Sequence, residues 1–186
     1  PSLRPEGPII VARDLVEHLA GEITKIDVYY FFGEKEFDFK SDLVEVKKAS
    51  IFSRLDLRPY SVVHSHCIWA DCYLACRRRI NGVKTMSTMH NYIFEDLRYR
   101  RGRILSVICG VLWLLLLKRL DRVVVLSSHM ADYYRTGCLK LNRLDIAHNG
   151  RSFSELEPIA ENNLEKLKEL KSRFKILGMV CGLHYR

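Results

Sequence analysis

An α/β fold with a parallel sheet and flanking helices is predicted for this 186-residue chain by two features. Short β-branched runs alternate with segments of helical periodicity, the mark of strands and crossover helices. Four of those runs also end in polar residues, and in an open parallel sheet the ligand crevice lies beyond the carboxyl ends of the strands. The length accommodates one full domain with a buried core and is too short for two. With 48% hydrophobic and 28% charged residues the composition is ordinary for a globular protein. No internal repeat, low-complexity tract or serine- or glycine-rich linker interrupts it.

In chain order, Ile9–Ala20 carries apolar residues on one helical face, and Gly7 stands just before it. A glycine-containing loop feeding a helix start is a weak phosphate-cradle signal, because the first backbone N–H groups of a helix lack partners. Ile26–Phe32 and Leu43–Val46 read as strands, and Ile51–Leu57 as a brief helix. Ser61–His66 is a strand ending in two histidines. The helix Ile68–Ile80 then carries Arg77–Arg79 in its last turn, where cations suit the dipole, and Asn81-Gly82 stops it. Val83–Met89 is the next strand. It ends in Thr88, His90 and Asn91, which puts His90 at the mouth of the crevice.

A basic, aromatic loop is expected between Tyr92 and Arg103. The uncharged Ile104–Leu117 follows, a segment too short to span a bilayer, which needs about 20 apolar residues. It suits a helix buried under other elements, or one with a face in a bilayer interface; the buried reading is favoured. Arg122–Leu126 is the clearest strand, and Ser127-Ser128 ends it and can cap the helix Met130–Arg135. Leu144–Ala147 is a short strand closed by His148-Asn149-Gly150. A polar connection over Glu155–Asn163, a charged helix over Leu164–Phe174 and an apolar strand over Lys175–Gly182 complete the chain.

Six cysteines contain no Cys-x-x-Cys pair, and several lie in segments that read as core, so free thiols in a reducing cytosol are expected. Thirty Lys+Arg against 22 Asp+Glu give +8, clustered at Arg77–Arg79, Arg98–Arg103 and Lys118–Arg122. Such a field favours phosphorylated ligands, nucleic acid or an anionic membrane surface without choosing among them. No nucleic-acid-binding module or basic-aromatic stripe is recognisable, which argues against that partner. No signal peptide is visible. Pro1–Pro8 reads as a mid-protein loop and the chain stops after a strand-like run, so a fragment is expected.

The four polar strand ends are His64-Ser65-His66, Thr88-Met89-His90-Asn91, Ser127-Ser128-His129 and His148-Asn149-Gly150. Gathered at one sheet edge, they supply the donors and acceptors that sugar hydroxyls and phosphates require. Other chemistries fit less well. No His-x-x-x-His spacing or nearby carboxylate favours metal. The Gly-x-Ser-x-Gly elbow of a hydrolase is absent, as is a Gly-x-Gly-x-x-Gly dinucleotide loop. Cys67 beside His66 reads more readily as a packed thiol than as a nucleophile.

The order of these pieces resembles something specific. Glu6-Gly7-Pro8 before a helix, Val62-Val63-His64-Ser65-His66, Thr88-Met89-His90-Asn91, Asp121–Ser127 and Asp145–Gly150 together look like the amino-terminal half of a family 4 (group 1) glycosyltransferase. Those enzymes have the GT-B architecture, two Rossmann-like domains facing across a cleft. The resemblance implies an acceptor-side Rossmann-like domain over 1–150, with its first strand missing ahead of Pro1. It also implies a hinge and connecting helix over 151–174, and the start of the donor-binding carboxy-terminal domain over 175–186.

By the same resemblance, His90 corresponds to the histidine that contacts the donor sugar near the reacting carbon. Gly7, His66, Asn91, Ser127, Asn149 and Gly150 fall at substrate-binding positions. Pro-Glu-Gly-Pro stands where many members carry adjacent glycines, and His148 replaces a usual proline. The implied activity is retaining transfer from a nucleotide-sugar donor to a glycan or lipid-linked acceptor, with no metal and no cofactor. The fragment itself is expected to be inactive, and the setting is cytoplasmic. Peripheral contact of Arg98, Arg100, Arg101 and Arg103 with an anionic membrane is a further expectation, although a solvated basic loop leading into a core helix is the slightly favoured alternative. Two rivals stay open: a sugar-nucleotide epimerase of the same fold, and a non-catalytic peripheral-membrane or sugar-binding module.

Overall fold

A computed structural model describes residues 3, 7–77, 81–137, 139–150 and 161–173. Pro1–Arg151 form one compact unit and Ser152–Arg186 a second. In the first, helix α1 (Gly7–Leu19) precedes strands β1 (Ile26–Tyr30) and β2 (Val44–Lys48). Strand β3 (Val62–His66), helix α2 (Ile68–Ala75) and strand β4 (Lys84–Met89) follow. Helices α3 (Ile93–Arg101) and α4 (Arg103–Leu117), strand β5 (Arg122–Val125), helix α5 (Ser128–Thr136) and strand β6 (Leu144–Ile146) complete it. In the second unit α6 (Glu161–Arg173) is the described element. The apolar strand expected over Lys175–Gly182 lies outside the described residues.

Every strand pair is parallel. β3, β4, β5 and β6 form one sheet in that order, and β1 pairs with β2 in a separate one. The α/β class read from the sequence is the one observed. β1 and β3 both line an apolar groove of about 880 Å³ that also takes in the inner face of α1. The main core lies on one side of the four-stranded sheet. Met89 of β4 and Val123 and Val125 of β5 pack with Ile93, Leu97, Leu114, Leu117, Met130 and Tyr134 from the helices. β5 is buried through Val123–Val125 because, as a central strand, it is covered on both faces.

Three local expectations change. Ile51–Leu57 is a turn followed by irregular chain, not a helix. The Ser50 hydroxyl accepts from Phe52 N–H (3.2 Å) and Ser53 bonds the Ser50 carbonyl (2.6 Å), so serine side chains hold the backbone out of a helical ladder. Leu57 is buried nonetheless. Second, the basic loop after Tyr92 is the helix α3. Ile93 and Leu97 bury one face, Glu95 and Asp96 occupy the first turn, and Arg98, Arg100 and Arg101 the last, in the sense the helix dipole favours. Gly102 at φ 80° and ψ 175°, a conformation nearly reserved for glycine, turns α3 sharply into α4.

The third change concerns α4, for which burial under other elements was the favoured expectation. It packs along a narrow line, Ser106, Gly110, Leu114 and Leu117, and leaves its opposite side open. A Cβ on Gly110 would meet the Phe94 ring at 2.6 Å, so that glycine sets how closely α3 and α4 approach. Among the described residues no helix is long and apolar enough to cross a membrane. Smaller differences are at ends: α1 begins at Gly7 itself, and α2 stops at Ala75, well before the expected Ile80.

Candidate active site

The parallel register of β3 and β4 sets His64 beside Met86 and His66 beside Thr88. Side chains two apart share a sheet face, so His64, His66, Met86 and Thr88 lie on one face, and His90 continues it past the end of β4. His66 Nδ1 and His90 Nε2 are hydrogen-bonded at 3.0 Å, with rings stacked 5.3 Å apart. The His64 ring lies 4.4 Å from that of His66, and its Nε2 bonds the Thr88 hydroxyl at 2.8 Å. Three histidines predicted separately thus form a ladder.

Burial holds all three imidazoles in the neutral form. It lowers His64 to about 4 and His66 to about 2, each helped by repulsion from a neighbouring histidine. His90, less enclosed, is lowered by the same cause. Each ring then carries one N–H, so in the His66–His90 bond one nitrogen donates and the other accepts. The tautomer of one ring fixes that of the other. A neutral His90 offers its remaining nitrogen as a donor or acceptor to a hydroxyl, and it offers no positive charge.

The opposite face of the same two strands carries Ser65 and Ser87, side by side in the register. Both hydroxyls donate to Asp71 Oδ1 at 2.6 Å, and Trp113 Nε1 of α4 donates to Asp71 Oδ2 at 2.9 Å. Asp71 is fully buried; burial raises its carboxyl above the ordinary range against the pull of the three donors. Ser65 was named among the polar strand ends; Asp71, Ser87 and Trp113 were not anticipated as its partners. The signal was present in a lone aspartate inside the apolar helix that follows β3, since a carboxylate there needs partners.

The rim beyond the strand ends is tied together as well. The Tyr134 hydroxyl donates to the Asn91 carbonyl (2.6 Å) and receives the Ile93 N–H (3.2 Å). Tyr92 Oη and His129 Nδ1 are bonded at 2.8 Å, which joins the end of β4 to the start of α5. Ser127 caps α5, its hydroxyl accepting from Met130 N–H at 3.2 Å. His148 Nδ1 donates to the Leu126 carbonyl at 3.1 Å and brings the end of β6 to the end of β5, with Asn149 and Gly150 exposed beside it. His66, His90, Asn91 and Ser127 therefore sit at one sheet edge, and Gly7 is exposed at the first turn of α1, whose helix packs on β3. Arg98, Arg100, Arg101 and Arg103 stand apart, exposed on and after α3.

Cys67, just after His66, has φ 71° and ψ 158°, a strained conformation for a residue with a side chain. Cys72, five residues on, has its thiol pushed up by burial to about 11, so it stays protonated. Among the described residues no group of three or more His, Cys, Asp or Glu is arranged to hold a metal ion. The groove beside β3 reaches His64 and His66, whereas a second cavity of about 630 Å³ lies at the other end of the strands, near Lys84 and Asp121. The edge carrying the histidines is the one where parallel sheets bind ligands.

Comparison with known proteins gives the family. The model of Glycosyltransferase Family 4 matches residues 7–154. Two curated Escherichia coli proteins, each named O-antigen biosynthesis glycosyltransferase WclY, are 33% identical over 134 residues, which is 69% of this chain and 37% of theirs. The chain thus spans well under half the length of these relatives. No solved structure matches it. With the family model covering most of the chain, including every strand of both sheets, the protein belongs to glycosyltransferase family 4.

Proposed function

We propose that the whole protein transfers a sugar from a nucleotide-sugar donor to a glycan or lipid-linked acceptor with retention of configuration. Residues 1–150 serve as the acceptor-side domain in this reading. Residues 151–174 are the hinge and connecting helix, and 175–186 begin the donor-binding domain. The observation that carries it is the hydrogen-bonded His66–His90 pair at the carboxyl edge of a parallel sheet, in a chain of this family. The relatives' name links them to O-antigen biosynthesis, and the acceptor proposed here is of that broad kind, a growing polysaccharide unit.

His90 contacts the donor sugar near the reacting carbon, and His66 sets its tautomer. Because His90 is held neutral, it orients a hydroxyl without competing for the donor's phosphate charge. Deprotonation of the acceptor falls to the donor phosphate, and the protein contributes orientation and preorganised dipoles. The backbone N–H of Gly7, at the start of α1, approaches a phosphate or the acceptor, and Asn91, Ser127, Asn149 and Gly150 line the same crevice. No metal or cofactor is required. The acceptor is met at the cytoplasmic face of the membrane, with Arg98, Arg100, Arg101 and Arg103 toward anionic lipid.

The test is nucleotide release from a panel of nucleotide sugars by the full-length protein and its His90→Ala form, with acceptor pools added. Release with one donor that falls by at least ~100-fold in the variant, about 2.7 kcal/mol of transition-state stabilisation, is expected. Release unaffected by the substitution moves the active site elsewhere. No release with any donor removes the transferase reading.

A further inference from the structure

β1 and β3 belong to separate sheets, yet their ends meet in the same order. The Tyr60 hydroxyl, just before β3, donates to Asp27 near the start of β1 and is bonded to Tyr29 Oη at 3.0 Å. Phe32, just past the end of β1, meets Trp69 in the first turn of α2, just past the end of β3. The two strands therefore run in the same direction, and the carboxyl end of β1 opens on the side that carries His66 and His90.

That junction is aromatic and open. Phe31 turns inward, its ring 5.0 Å from that of Tyr73, and is buried. Phe32, the next residue, turns outward and is 43% exposed, and Trp69 is 50% exposed. Their ring centroids lie 5.7 Å apart at 69°, so the two meet edge to face and form a corner instead of a closed stack. Trp69 stands three residues beyond His66. Between them Cys67 holds φ at 71°, and strain of that kind persists only where the surroundings enforce it, which is typical of binding sites.

Chemistry selects the ligand. The faces of a phenyl ring and an indole attract apolar, slightly positive C–H bonds, whereas the nearby histidine pair calls for hydroxyls. A pyranose ring supplies both, with hydroxyls around its rim and axial C–H bonds on its faces. A β-linked ring of gluco or galacto configuration carries an unbroken row of axial C–H bonds on one face. An α-mannopyranoside interrupts both faces with an axial oxygen.

We propose that Phe32 and Trp69 form the stacking platform for the acceptor sugar, a β-linked pyranose of gluco or galacto configuration, and so set acceptor specificity. This rests on the transferase reading of the same sheet edge, but binding at the platform is readable without turnover.

The experiment uses the full-length protein with methyl β-glucopyranoside, methyl β-galactopyranoside and methyl α-mannopyranoside. Iodide quenching reads the exposed Trp69, with the Trp69→Phe form subtracting every other tryptophan. The two β-glycosides are expected to shield Trp69 and the mannoside to leave it open, and Phe32→Ala is expected to weaken that shielding on the order of 10-fold. In nucleotide release, Trp69→Ala is expected to raise KM for the β-glycosides on the order of 10-fold and to hold kcat within a few-fold. Trp69→Phe, which keeps a ring face, is expected to recover most of that loss; a merely structural role would move kcat and the melting temperature together. Trp69 shielded before any glycoside is added overturns the proposal, since the rest of the chain then covers the pair. So does equal shielding by all the glycosides, shielding by none, or an unchanged KM in Trp69→Ala. Absence of nucleotide release with every donor bears on the transferase reading, and the quenching still decides this one.

Discussion

Acid should unfold this protein through the histidine ladder, and the size of the effect follows from the structure. His64 and His66 have ordinary values of 6.5 in the unfolded chain, and burial depresses them to about 4 and about 2 in the fold. A depressed folded value means the unfolded state binds more protons, so the stability these groups confer is present above the ordinary value and is lost as pH falls below it. In that window each group changes stability by about 1.4 kcal/mol per pH unit. The full slope develops only below the ordinary value, so two groups taken from about pH 6.5 to about pH 5 remove roughly 3 kcal/mol, out of a total of about 5–15. His66→Phe keeps the ring in place and deletes one titration, so its slope is expected to be shallower by about 1.4 kcal/mol per pH unit. Asp71, raised by burial, acts with the opposite sign: its contribution is full below the ordinary carboxyl value and is lost as pH rises through its folded one. It is common to both proteins and cancels in the difference. Urea unfolding at a series of pH values, followed by tryptophan fluorescence, measures both slopes. Parallel slopes would refute the claim that His66 is held neutral by burial.

Two further outcomes concern single positions. Ser127→Ala removes the hydroxyl that accepts Met130 N–H, and should lower stability by about 1 kcal/mol in chemical denaturation, with Ser127→Asp restoring most of it. Gly102→Ala adds a Cβ with no atom within 4 Å to strike, so its cost is backbone strain alone, about 1–3 kcal/mol by differential scanning calorimetry. An unchanged melting temperature for that variant would show that the α3–α4 turn can relax.

The fold class was legible because β-branched runs, glycine stops and polar strand ends all point the same way. His66, His90, Asn91 and Ser127 were read at the carboxyl edge of the sheet for the same reason, and that is where they lie. What sequence reading did not supply was pairing. A histidine two residues from another on a strand announces a shared face, yet only the β3–β4 register reveals that His66 meets His90. α3 was misread because its aromatic and arginine content outweighed the Ile93/Leu97 spacing and the acid-first, base-last order of its charges. Composition alone likewise made α4 look buried; Leu114 and Leu112 are the same residue type, and tertiary packing decides which of them meets solvent.

The Asp71 carboxylate accepts hydrogen bonds from β3, β4 and α4 at once. It therefore works as a pin through three parts. A shift of α4 that separates Trp113 from Asp71 strands a buried acceptor. The strands ending at His66 and His90 and the helix carrying Trp113 are thereby tied into one body. A disturbance at Trp113, on the far side of the sheet from the histidines, is therefore transmitted to the strand ends through a single carboxylate.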